Sequence, residues 1–268
     1  MLRDNRCRFK QTGGNGSSVN GGIKAREGGL ISDNIAVSSR AAWRRAELKQ
    51  PNGSYYMPLF LQRQLEPAGD LGIWQIDEPE SYFRDLLDLL PEERAQVDLL
   101  MGRRRIEWLA GRYLLHLLSG REERGACLKD EFGKPHLENS PYQISISHSH
   151  GLAAVIAAPE AVGIDIQFLV PKIERIAYKF MRPEETACLH PDYRIEHLHV
   201  FWGAKESLYK AYGRRMLDFR EHLGLQPFTY QPAGGQCRGW IHKEGYRAEF
   251  RIEYERFDDY LLVYARQE

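Results

Sequence analysis

The run Leu-Gly-Ile-Trp-Gln-Ile from Leu71 is apolar and β-prone, so it predicts a strand. Pro91-Glu92-Glu93 reads as a helix start, with proline in the first turn and acids facing the positive end of the dipole, and predicts a long helix. Ile106, Leu109, Tyr113, Leu114 and Leu117 recur at three- and four-residue steps and make one apolar face, which Gly120 would stop. After a turn at Phe132-Gly133-Lys134-Pro135, the segments Gln143 to Ser147 and Leu152 to Ala157 read as strands around His148-Ser149-His150-Gly151. A third strand, Val162 to Ile166, alternates so that Asp165 points opposite to Ile164 and Ile166.

The second half repeats this order, with a helix from about Val200 to Tyr212 and late strands from Ala248 to Tyr254 and from Tyr260 to Ala265. Trp108-Leu109-Ala110 followed by Leu114 has the spacing of Trp202-Gly203-Ala204 followed by Leu208. Together these predict an α+β fold of two similar α/β subdomains, residues 57–160 and 161–268, in a pseudo-twofold arrangement with the active site in the cleft between them. Residues 1–56 differ: glycine and serine crowd together without an apolar pattern to bury, which predicts disorder. That stretch reads as an upstream extension or as the product of a misplaced start, with Met57 opening the folded part.

Composition narrows the partners. Of 268 residues 43% are hydrophobic, enough for a real core, while Lys+Arg and Asp+Glu both number 37, so no global field favours nucleic acid or an anionic membrane. An anion site must then be local. Cys7, Cys127, Cys188 and Cys237 form no CxxC pair, which argues against a zinc knuckle or a disulfide framework and fits a reducing cytoplasm. No apolar run reaches the roughly 20 residues of a membrane span, and no signal-peptide core opens the chain.

Four constellations carry candidate chemistry. Asp165 at the end of a buried strand suits a hard cation, although an aspartate there also serves as a cap or turn residue. In Phe201-Trp202-Gly203-Ala204-Lys205-Glu206-Ser207-Leu208-Tyr209-Lys210, helical spacing puts Glu206 and Lys210 on one face, either as a surface ion pair or, among large apolar neighbours, as the lining of a cleft. Ser145-Ile146-Ser147-His148-Ser149-His150-Gly151 is rich in groups that bond phosphate oxygens. His148 and His150 lack a third zinc ligand at convincing spacing, and no G-x-S-x-G elbow surrounds Ser147 or Ser149. Arg104 and Arg112, near two helical turns apart, and Lys134 beside its glycine-proline turn are either solvated charges or converge on a polyanion.

Read in order, Arg104 to Arg112, Gly133-Lys134-Pro135, Ile146-Ser147-His148-Ser149, Gly163-Ile164-Asp165 and Trp202 to Lys210 resemble the 4′-phosphopantetheinyl transferase superfamily of the larger, pseudo-dimeric bacterial type, over about Ile73 to Ala265. The resemblance implies magnesium on Asp165 and Glu206, the 3′-phosphate region of coenzyme A on Arg104 and Arg112, its phosphates on Lys134 and His148, and its diphosphate beside Lys205 and Lys210. The implied reaction is attack by a serine of an apo acyl or peptidyl carrier protein on the β-phosphate of coenzyme A, with Glu206 taking the proton and adenosine 3′,5′-bisphosphate leaving. A monomer is expected, because a pseudo-dimeric chain holds a whole site.

One position departs from the pattern: many relatives carry a second acid where this chain has Gln167. Gln167 lies on the Asp165 side of the strand, so its amide oxygen is a candidate metal or water ligand that adds no charge, which predicts weaker metal binding than three carboxylates give. Two competing readings are a non-catalytic homologue that binds coenzyme A or a carrier, and a metal-dependent diphosphate hydrolase.

Overall fold

A computed structural model describes residues 59–268 and the strand pair β1 (Leu48–Lys49) and β2 (Tyr55–Tyr56), with side chains from residue 61 onward. The disorder expected for residues 1–56 lies outside the described residues, apart from that pair. Thereafter the chain runs β3 (Leu59–Gln64), β4 (Asp70–Gln75), α1 (Glu80–Leu86), α2 (Pro91–Asp98), α3 (Arg103–Ser119), β5 (Cys127–Lys129), β6 (Pro135–Leu137), β7 (Gln143–Ser149), β8 (Leu152–Ala158) and β9 (Val162–Phe168). It continues with α4 (Ile173–Ile176), a 3-10 turn, α5 (Pro183–Ala187), α6 (Arg194–Tyr212), β10 (Leu223–Leu225), β11 (Gly235–Lys243), β12 (Tyr246–Phe257) and β13 (Tyr260–Gln267). The result is a mixed α+β fold with two larger antiparallel sheets, ordered β3-β4-β8-β7 and β10-β11-β12-β13-β9, beside the two-stranded pairs β1-β2 and β5-β6.

Period-two alternation sorts the side chains into layers. On β8, Leu152, Ala154, Ile156 and Ala158 join Val162, Ile164 and Ile166 of β9 and Leu262 and Tyr264 of β13 in a core shared by the two sheets. The other face of β8, through Ala153 and Val155, packs with Leu109, Leu114 and Leu115 of α3. In the same way Leu261, Val263 and Ala265 of β13 pack with Phe201, Ala204 and Leu208 of α6. Each sheet thus covers one face with its own long helix. Among the described residues no helix is long and apolar enough to cross a membrane.

Two departures from the sequence pattern have local causes. The helix expected to run on from Pro91 breaks after Asp98, because Gly102 takes φ 54 and starts α3 afresh, leaving Leu99 and Met101 exposed in the gap. The helix expected from Val200 starts instead at Arg194, since His197, Leu198 and His199 are buried and extend its packed face. Gly120, at φ 62, does end α3.

The close approach of α6 to its sheet positions the site. A Cβ on Gly163 would collide with the Ser207 carbonyl, and one on Gly203 would meet the Val263 side chain, so Gly163 lets β9 touch the helix backbone and Gly203 lets the helix backbone touch a β13 side chain. Ser207 Oγ then donates to the Val263 carbonyl at 3.1 Å. β7 and β9, the end strands of the two sheets, are joined by hydroxyls rather than by a ladder: Ile164 N–H donates to Ser145 Oγ at 3.1 Å and Ile166 N–H to Ser147 Oγ at 3.2 Å.

Candidate active site

Asp165 leaves β9 on the α6 side, where Lys210 meets it. The Lys210 ammonium donates to Asp165 Oδ1 at 2.8 Å, to the Ile164 carbonyl at 2.8 Å and to Ser147 Oγ at 3.0 Å, which uses its three protons. Ser147 donates in turn to Asp165 Oδ1 at 3.0 Å. One helical turn before Lys210, the Glu206 carboxyl is held above its ordinary range, first by burial and then by the charge of Asp165, with Lys210 opposing both. Among the described residues no hydrogen bond engages it. The charges of Asp165 and Lys210 thus both act on Glu206, and Lys210 is bonded to Asp165.

On the first sheet's side His148 stands at the same seam. Its Nδ1 lies 3.0 Å from Glu107 Oε2, while Arg103 Nε lies 3.4 Å from the other oxygen of that buried carboxylate. Burial pulls the His148 pKa down; Glu107 opposes this, and Lys210, Arg104 and Arg112 add to it. These three cations therefore act on one ring. Arg104 is exposed at the start of α3, whereas Arg112 is only 5% exposed, with its guanidinium 3.6 Å from the centre of the Trp108 ring. Arg112 Nε is buried without a hydrogen-bond partner, and burial lowers the pKa of the group. A buried guanidinium in that condition has the electrostatic demand of an anion site.

Three residues expected at the site are committed elsewhere. Lys205 is fully buried, donating to the carbonyls of Phe180 (2.6 Å) and Phe219 (3.0 Å) and to Glu185 Oε2 (2.7 Å). Neighbouring positions on a helix point about 100° apart, so turning Glu206 toward β9 turns Lys205 toward α5; the expected contact with a diphosphate is corrected to an internal ion pair. Lys134 lies across Gly213 and donates to the Ala211 carbonyl at 2.8 Å, placing a cation on the negative end of α6. Burial lowers its pKa. Gln167 turns its amide to His199: Nε2 donates to the His199 carbonyl at 2.9 Å, and Oε1 lies 2.6 Å from His199 Nδ1. The expected amide ligand is therefore held by an imidazole.

Residues 161–265 match the sequence model of the 4′-phosphopantetheinyl transferase superfamily. This segment is a domain of that superfamily. No curated protein matches the chain. The matched superfamily domain contains Asp165, Gln167, Lys205, Glu206 and Lys210, while Arg104, Arg112, Lys134 and His148 stand before it. Such a domain supports a general transferase function, and the superfamily uses coenzyme A and typically a divalent metal.

Whether the residues suit such a metal is a question about their donors. Among the described residues no three His, Cys, Asp or Glu side chains gather on one point, so the superfamily domain here offers two carboxylates. The raised proton affinity of Glu206 beside Asp165 is what a divalent cation would relieve, and magnesium commonly takes one or two carboxylates and completes its shell with phosphate oxygens and water. The donors fit on that basis. Sequence reasoning passed over Glu107, whose nearest signal was its i,i+4 spacing from Arg103, and it gave Ser147 no link to Asp165.

Proposed function

We propose that this chain is a magnesium-dependent 4′-phosphopantetheinyl transferase that moves the phosphopantetheine arm of coenzyme A to a serine of an apo acyl or peptidyl carrier protein. The observation that carries the reading is the junction of Asp165, Glu206 and Lys210 with His148 and with Arg112, whose Nε is buried without a hydrogen-bond partner. Arg112 and Arg104 hold the phosphorylated ribose end, and His148 and Lys210 meet the diphosphate. Asp165 and Glu206 would hold magnesium, which when bound neutralises charge on the diphosphate oxygens. The carrier serine oxygen bonds to the β-phosphorus as the bond from that phosphorus to the bridging oxygen breaks. Adenosine 3′,5′-bisphosphate leaves, and Glu206 takes the serine proton. Lys210 offsets the charge gathering on the leaving oxygen.

The pseudo-twofold reading, with subdomains at 57–160 and 161–268, draws support from burial: Ala110 and Leu114 of α3 and their counterparts Ala204 and Leu208 of α6 are all fully buried. Both sides of the site come from one chain, which favours a monomer. Free thiols at Cys127, Cys188 and Cys237 favour the cytoplasm. The hydrogen bonding of Gln167 to His199 favours a second reading, a non-catalytic homologue that binds coenzyme A or a carrier. Intact-mass spectrometry of an apo carrier protein incubated with the chain, coenzyme A and magnesium separates the two. A gain of one phosphopantetheine, abolished in Asp165→Ala, is expected; coenzyme A binding with no mass gain on any carrier would select the second reading.

A further inference from the structure

Glu107 is a buried carboxylate on α3, 7% exposed, with no part in the chemistry above. Its two oxygens are divided between Arg103 and His148. Arg103 is itself packed against Gly151, where a Cβ would strike its guanidinium, so the salt bridge that holds Glu107 is braced by the turn following His148. The His148 side chain is half exposed, and with Nδ1 engaged by Glu107, Nε2 is the nitrogen left for a ligand.

We infer that Glu107 is a positioning residue for phosphate capture, holding the His148 ring by Nδ1 and supplying the counter-charge that lets His148 become an imidazolium when a diphosphate arrives. Every other charge facing His148 works against that state: Lys210 from α6, and Arg104 and Arg112 from α3, all favour the neutral ring, as does burial. Arg103 shares Glu107 through its other oxygen, at 3.4 Å. Asp165, one hydrogen bond beyond Ser147, is already neutralised by Lys210. Glu107 is thus the one carboxylate in contact with the ring among the described residues. A neutral ring with its proton on Nδ1 would present a lone pair to a phosphate; the imidazolium presents an N–H.

The inference rests on the coenzyme A reading, and the test separates the two. Nitrogen-15 NMR of the histidine rings follows the His148 titration in the free protein, and calorimetry with coenzyme A and magnesium in buffers of different ionisation enthalpy counts protons taken up on binding. In Glu107→Gln the His148 midpoint moves to lower pH, proton uptake falls, and coenzyme A binds about tenfold more weakly near neutrality, the loss expected of a charge-assisted hydrogen bond. Glu107→Asp, which keeps the charge one methylene further back, gives intermediate values and serves if the amide variant folds poorly. In a His148→Gln background Glu107→Gln adds no further loss. An unmoved midpoint, or an equal loss in both backgrounds, overturns the inference while coenzyme A binding stands. Failure of the unaltered chain to bind coenzyme A overturns the transferase reading, and this inference with it.

Discussion

Acid should loosen α6 through His197. His197 sits in the first turns of the helix that carries Glu206 and Lys210, fully buried among the rings of Phe201, Phe228 and Tyr230 at centroid distances of 5.1, 4.7 and 5.5 Å. Its Nδ1 accepts the His190 N–H at 3.1 Å, and its Nε2 is buried with no hydrogen-bond partner. Burial, helped by His190, lowers its pKa from 6.5 to about 4. The unfolded chain therefore binds a proton first as pH falls. Stability is intact above pH 6.5, declines between 6.5 and about 4, and levels off below. At about 1.4 kcal/mol for each pH unit, the gap is worth roughly 3 kcal/mol, of which about 2.5 kcal/mol is lost by about pH 4.5. Urea unfolding followed by tryptophan fluorescence across that range, for the native chain and for His197→Phe, isolates this contribution because the other titrating groups are common to both. The variant keeps the aromatic packing and should shed most of the pH dependence. Parallel losses in the two proteins would refute the argument.

The two lysines of α6 should separate stability from activity. Lys205→Ala leaves Glu185 buried and unpaired and should cost about 3–5 kcal/mol in urea unfolding, while Lys210→Ala, at a pair that is partly exposed, should cost less and lower transfer to carrier protein by about 10²–10³. Equal stability losses in the two would show that this division is wrong. Gln167→Glu should form an ion pair with His199, raise the His199 pKa, which burial now lowers, and leave the magnesium requirement unchanged. A lower magnesium requirement in that variant, with His199 unmoved, would mean that residue 167 reaches the metal.

The period of the apolar pattern located α3, β7, β8, β9 and the late strands because each buries one face, and burial is what periodicity reports. It placed Asp165 opposite Ile164 and Ile166 for the same reason. The α2–α3 break escaped it, since Leu99 and Met101 are apolar yet exposed and continue a helical pattern the backbone abandons at Gly102. Lys205 was misjudged on physical grounds of another kind. Adjacent charges on a helix look alike in sequence, and only the position of Glu185, 20 residues earlier and on a different helix, decides which of them is buried. Glu107 was hidden because its partner His148 comes from a strand that follows three intervening turns of chain.

The matched domain spans 161–265, yet Arg112 lies on α3 and His148 on β7, so the proposed chemistry requires the first sheet with its helix and the second sheet to hold one geometry. The seam between them is narrow. Ser145 and Ser147 stand in for a strand ladder, and Ser147 also touches both Asp165 and Lys210. A hydroxyl there accepts a backbone N–H from β9 and donates to the aspartate, which neither alanine nor a larger polar residue could do in that space without leaving a buried group unpaired. The apolar core between the sheets holds them together, and the two hydroxyls set the local register of β7 against β9, so Ser147 ties that register to the Asp165–Lys210 pair.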